Sequence, residues 1–316
     1  MFSRASQIAR HLSRPLPNLA HSSAAAFRGT MTAGPAAATA ASERASRKIH
    51  TAACLIIGDE VLGGKACYTN SNYFAKWCFG LGINLKRVEV IEDDEAEIIE
   101  AIRRMSERYD MVVTSHDDIT YASIAKAFSL PLVQHQQAYE LMKKLSKPHP
   151  GQPNFSWDED SPALRARLRM VELPHDASRP ADQQALFPCP ELWVPIAVVN
   201  GNVHILPGVP RLFEQLLKGL TPSILPRLTD PEGKGTVRVS ISTPLPESAV
   251  ADYLTALAAR VEPRGVKVGS YPRWGKKRNT VTLVGRDREF LDSITPEVVQ
   301  AVQGRVMTAE GEEVEE

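Results

Sequence analysis

Between residues 51 and 128 the chain repeats one pattern three times: a short apolar run, then apolar positions at helical spacing. "TAACLIIGDE" reads as an apolar strand that ends in a glycine and two acids. "TNSNYFAKWCFGLGI" reads as a helix that Thr69 or Asn70 caps and Gly82 ends. "NLKRVEVI" is the next strand. "DDEAEIIEAIRRMSERY" is an amphipathic helix with acids in its first turn and Ala96, Ile99, Ile102 and Met105 on one face. A third strand covers residues 111–114. The helix after Asp118 has Ile119, Ala122, Ala125 and Phe128 at helical spacing, and "QAYELMKKL" continues it. Alternating strands and helices predict an α/β fold with a doubly wound, mostly parallel sheet.

The second half is patterned differently. "SKPHPGQPNFSWDEDSP" is a Pro-rich polar loop, and "RMVELP", "VPIAVVN" and "VHILP" are short strands. Gly201-Asn202 joins the last two as a hairpin turn. Pro210 opens the helix "PRLFEQLLKGL". After the linker "TDPEGKG", strand, helix, two strands and a helix predict a smaller α+β C-terminal domain over residues 234–308. Residues 309–316 form an acidic tail.

Composition changes this picture at one end. The chain balances 37 Lys+Arg against 37 Asp+Glu, but Glu43 is its first acid, while Arg4, Arg10, Arg14 and Arg28 stand among Ser and Ala. Residues 1–48 therefore read as a mitochondrial-type transit peptide or a disordered tail. The first alternative predicts the mitochondrial matrix, the second the cytoplasm. Through Lys48 basic residues outnumber acids 7 to 1, so the remainder is mildly acidic, which argues against a nucleic-acid partner. The larger domain then spans residues 49–228. No apolar run approaches the ~20 residues a membrane helix needs. Cys54, Cys67, Cys78 and Cys189 make no C-x-x-C pair, and reduced core thiols are expected.

In an open parallel sheet, ligands bind beyond the carboxyl ends of the strands. Gly58, Asp59 and Glu60 follow the first strand, and Asp117 and Asp118 follow the third. Such carboxylates can hold a hard divalent cation. An Asp before a helix is also an ordinary N-cap; one residue suffices for capping, which frees the second for the cleft. "LPGVPRLFEQL" is either a helix N-terminus turned to an anion or a plain strand–turn–helix corner. "GSYPRWGKKRN" is either a phosphate clamp with a stacking Trp274 or a solvated basic loop. Between Ser115 and His116 the third strand meets the acidic helix start with no glycine to turn the backbone.

"IIGDEVLGGKACYTN", "VVTSHDDITYASIAKAF", "LRMVELP" and "ILPGVPRLFEQLL" occur in that order. Together they resemble the molybdopterin-binding domain of MoaB/Mog-like proteins, in particular the branch formed by the N-terminal parts of CinA and of bifunctional FAD synthases. The resemblance covers about residues 51–308, including "GSYP". The family pattern places a Gly-Gly-Ile-Gly-Pro-Thr-type segment between the residues matching Ser115 and His116. This chain lacks that segment, and also an Asn-Pro-x-Gly-type segment near "RPADQQALFPCPELWVP". Either an in-frame piece is missing from the sequence or the phosphate loop has degenerated.

The resemblance implies metal-dependent dinucleotide pyrophosphatase activity: hydrolysis of FAD to FMN and AMP, or of ADP-ribose. Asp59, Asp117 and Asp118 would be catalytic, with Asp117 and Asp118 holding Mg, Mn or Co. Gly58, Glu60, Asn70, Ser115, Thr120, Gly208 and Pro210 would bind substrate. The chain ends before any FAD-synthesising or amidase domain, which implies a stand-alone hydrolase. The alternatives are a pterin-binding protein of molybdenum-cofactor synthesis and a catalytically degenerate binding protein. Mog-like relatives also imply a homo-oligomer.

Overall fold

The computed structural model describes residues 35–65, 69–116, 119–146, 155–232, 235–272 and 278–307. Four strands run parallel in the centre of the larger domain: β1 (Thr51–Ile57), β2 (Asn84–Ile91), β3 (Met111–His116) and β8 (Val203–Pro207). Two short strands, β7 (Ile196–Val199) and β6 (Ala185–Leu186), extend the sheet antiparallel, in the order β2-β1-β3-β8-β7-β6. β1 is buried on both faces, as its continuous apolar run requires. Ala52, Cys54 and Ile56 face one layer and Ala53, Leu55 and Ile57 the other.

On the first face lie α3 (Asn70–Gly80) and α8 (Pro210–Ile224), which bury Phe74 and Cys78 and then Phe213, Leu216, Leu217 and Leu220. On the second lie α4 (Glu95–Arg108) and α5 (Thr120–Ala127). The second layer is rotated from the expected one. α4 buries Ile98, Ala101, Ile102 and Met105 and leaves Ala96 exposed. α5 buries Tyr121, Ile124 and Ala127, while Ile119 and Ala122 are exposed. The largest side chains set a helix's register, and a Tyr ring offers far more area to bury than the Ala122 methyl.

The middle of the chain is more structured than its polar composition predicts. α5 does not continue into the next helix. Ser129 takes a positive φ of 57°, and the strand β4 (Leu132–Gln134) intervenes before α6 (Gln136–Leu145). α7 (Pro162–Arg169) follows, capped by Ser161, and leads to β5 (Glu172–Pro174), which pairs with β4. The β7–β8 hairpin turns on Asn200 and Gly201, both with positive φ, rather than on Gly201 and Asn202. A Gly201 Cβ would stand 2.1 Å from the Ala41 carbonyl, so any side chain there is excluded.

That contact belongs to α1 (Pro35–Ser46), a helix inside the segment expected to be leader or tail. Its Ala-rich sequence favours helix, and its C-terminal half is held in place. Ala41 is buried, Arg44 donates to Asn200 Oδ1 (3.2 Å), and Arg227 donates to the Arg44 and Arg47 carbonyls.

The smaller domain has β9 (Val237–Thr243), α9 (Glu247–Val261), β10 (Lys267–Tyr271), β11 (Asn279–Gly285) and α10 (Arg288–Ala301), in the predicted order, plus a short edge strand β12 (Arg305–Val306). Its sheet is antiparallel, in the order β10-β11-β9-β12, and both helices pack on one face. It joins the larger domain at the end of α3: Thr236 N donates to Phe79 O (3.1 Å) and Arg286 donates to Gly82 O.

A chain beginning at Lys48, which keeps the core residue Ile49, melts at a lower temperature than one beginning at Thr32, because it exposes the surface α1 covers; equal melting points would count against that role. His204 on β8 is buried, and desolvation, its main perturbation, pushes its pKa down to about 4. Its stabilising contribution is present above the unfolded-state value of about 6.5 and fades as pH falls towards 4. Urea unfolding at pH 7 and 4.5 should show the wild type losing about 2 kcal/mol more than His204→Asn.

Candidate functional site

Parallel pairing brings the expected residues to one edge. His116 pairs with Pro207, Ser115 with Leu206, Leu55 with Thr114 and Ile57 with Ile91, so the carboxyl ends of β1, β2, β3 and β8 are level. Gly58 continues β1 and Gly208 continues β8. Asp117 and Asp118, which continue β3, lie outside the described residues.

Asn70 ties two of these loops together. It is fully buried at the start of α3, and its Nδ2 donates to the Gly208 carbonyl at 3.0 Å. The bond locks the first turn of α3 against the turn that launches α8. Pro210 is the first residue of α8, where its missing N–H costs nothing, and it is exposed. Ser115 and Thr120 are buried, at 4% and 0% exposure. Their hydroxyls therefore lie below the edge, not on its surface.

Asp59 and Glu60 do something different. They form the first turn of a short helix, α2 (Asp59–Leu62). Asp59 Oδ1 accepts from Asp93 N (3.2 Å), and Asp59 N donates to Asp93 Oδ2 (3.3 Å). This reciprocal pair draws α2 towards the β2–α4 connection, away from β3 and β8. The Glu60 carboxylate lies against Gly58. Among the described residues no group of three or more His, Cys, Asp or Glu side chains could hold a metal ion.

The electrostatics of the edge come from its helices. Thr69, Ile119 and Val209 precede α3, α5 and α8, and none makes a side-chain cap. The helix after the edge strand β2 differs: Asp94 closes α4 by accepting from Ala96 N (2.8 Å) and Glu97 N (3.1 Å). So the helices that begin at Asn70, Thr120 and Pro210 turn their positive ends to the same edge, and the residue before each makes no side-chain cap bond. A cavity of about 480 Å³ lies elsewhere, beside β4 and β5, lined by His135, His175, Asp182 and Gln184 among others. The histidines gave no sequence signal, because 40 residues separate them. Of "GSYPRWGKKRN", residues 273–277 lie outside the described residues.

Residues 53–228, more than half of the chain, match the family model "Probable molybdopterin binding domain", and residues 236–310 match "FAD synthase, middle domain". A Caenorhabditis elegans protein named "Probable FAD synthase" is 27% identical over 270 residues, 81% of this chain and 51% of that protein. A "CinA-like protein" of Myxococcus xanthus is 31% identical over 183 residues, 55% of this chain and 39% of the relative. This chain thus spans about half the length of the nematode relative. Among solved structures, the Thermoplasma acidophilum protein CinA, described as of unknown function, is 29% identical; the match covers 56% of this chain and 98% of that one, with a TM-score of 0.44.

The Asn70 bridge generates a prediction. Asn70→Ala leaves the Gly208 carbonyl without this donor and should destabilise the protein by about 1–3 kcal/mol in urea unfolding. An unchanged midpoint would mean that the bridge does not hold the loops.

Proposed function

The chain belongs to the family of probable molybdopterin-binding domains, and from that premise we propose that it hydrolyses the pyrophosphate of a flavin dinucleotide, giving FMN and AMP. Water attacks one phosphorus, the P–O–P bond breaks, and the other phosphate leaves as a monoester. The observation that carries this reading is the convergence of three helix N-termini, those of α3, α5 and α8, on the edge beyond β1, β3 and β8. Backbone N–H groups there suit phosphate oxygens. The hydroxyls of Ser115 and Thr120 are too buried to meet a ligand at the surface, so phosphate binding falls to the backbone, and Asn70 positions two of the three helix starts. The flavin half of the proposal is supported by the relative named as a FAD synthase and by the matching middle domain.

The described residues do not by themselves form a metal centre, so no step is derived through a cation held by them. Asp117 and Asp118 would hold the divalent ion, which bound there would supply Lewis-acid activation of the phosphate. The family description favours a second reading, binding of a pterin without turnover. The composition of the first residues supports delivery to the mitochondrial matrix, which import of a fluorescent fusion would test.

The experiment is chromatography of FAD incubated with the full chain and Mg²⁺, Mn²⁺ or Co²⁺. FMN and AMP should appear, vanish with EDTA, and fall to background in Asp118→Asn with an unchanged melting point. Intact FAD with all three metals, or full turnover in Asp118→Asn, would sink the assignment. Tight molybdopterin binding without FAD turnover would establish the pterin reading instead.

A further inference from the structure

The helices of the smaller domain cover one face of its sheet, and the register fixes what lies on the other. Lys267, Val284 and Arg238 form one cross-strand row, Gly269, Thr282 and Ser240 the next, and Tyr271, Thr280, Ser242 and Arg305 a third. Arg278 folds onto the last row, donating through Nε to Ser242 Oγ (2.8 Å) and through Nη2 to Ser242 O (3.1 Å). These rows contain no Asp or Glu. Tyr271 is 59% exposed. A Cβ at Gly269 would lie 3.1 Å from Tyr271 Cε2 and 3.0 Å from Thr282 Oγ1. The glycine therefore lets the ring lie flat across the sheet instead of standing away from it.

We propose that this face binds single-stranded nucleic acid, with Tyr271 as a stacking platform and Lys267, Arg278 and Arg305 as phosphate contacts. The dimensions select the ligand. Lys267 stands two rows from Arg305, about 14 Å along the strands, and three strands across, another ~14 Å. One pyrophosphate cannot touch both ends, whereas a chain of phosphodiesters can. Thr280, Thr282 and Ser242 are buried beneath the side chains of this face, so the ligand meets the exposed Tyr271 ring and the cations around it, which suits bases that stack while the backbone follows the charge. Arg238 is partly spoken for, since its guanidinium lies 4.7 Å from the Phe79 ring, so the proposal does not depend on it. Net charge argues against a nucleic-acid partner, but the cross-strand rows themselves carry no acid, and local charge is what a polyanion meets.

The test is fluorescence anisotropy of a labelled 12-nucleotide oligo(U) RNA titrated with the full chain between 25 and 200 mM salt. Wild type should bind at low salt. Tyr271→Ala should weaken binding about tenfold at each salt concentration, with the salt slope unchanged. Lys267→Gln combined with Arg305→Gln should flatten the log–log slope by about 1.4. All three positions are exposed, and circular dichroism checks that the variants fold. No binding at 25 mM salt would overturn the proposal. Binding that Tyr271→Ala leaves intact and heparin matches would overturn it too, by showing a basic patch without base stacking.

Discussion

Parallel pairing of β3 between β1 and β8 is the constraint on which the larger domain depends. Because the three strands run the same way, their carboxyl ends are level, and the helices that follow them begin at one edge. Alternate residues of β1 feed two separate cores, so a one-residue slip would turn each core's side chains into the other layer. The register is thus fixed by packing far from the edge it serves. Asn70, reaching from α3 to the Gly208 carbonyl, locks the result on the side where α8 begins.

The same constraint explains how the chain copes with a short β3–α5 connection. β3 keeps its pairing through His116, and α5 begins by Thr120. The helix settles with Tyr121 and Ile124 against the sheet, so the start of α5 still belongs to the edge. What the short connection removes is the run of glycine N–H groups that relatives are expected to wrap around a phosphate. What remains at the edge is the dipole and the first-turn N–H groups of α3, α5 and α8.

Much of this was legible in the sequence. The run at residues 51–57 is continuously apolar, residues 84–91 end in Val-Glu-Val-Ile, the third strand was legible over 111–114 and extends two residues further, and the smaller domain's elements appear where its alternation places them. Other features were not legible, for physical reasons. α7 is short and rich in Arg, and the stacking of Arg167 on Phe155 at 4.0 Å is a tertiary contact that no periodicity announces. β4 has three residues, all exposed, and exists because β5 pairs with it. α1 lies in a stretch whose composition reads as leader, and the places where it docks, the bare Gly201 turn, Asn200 and Arg227, are distant in sequence. At the site, Asp59 and Asn70 were both visible as candidates, but their partners, Asp93 and the Gly208 carbonyl, depend on the fold. Those partners give Asp59 a structural task on the β2 side and give Asn70 the central one.

The central claim is that the edge beyond β1, β3 and β8 recognises phosphate through helix N-termini. Equilibrium dialysis of the full chain against FAD and against riboflavin, with EDTA present to separate binding from turnover, tests it most directly. The two ligands share the flavin ring and differ in the phosphates and the adenosine. The account predicts that FAD is retained, that AMP competes with it, and that riboflavin passes freely. Retention of riboflavin as tight as that of FAD, or loss of both, would contradict it.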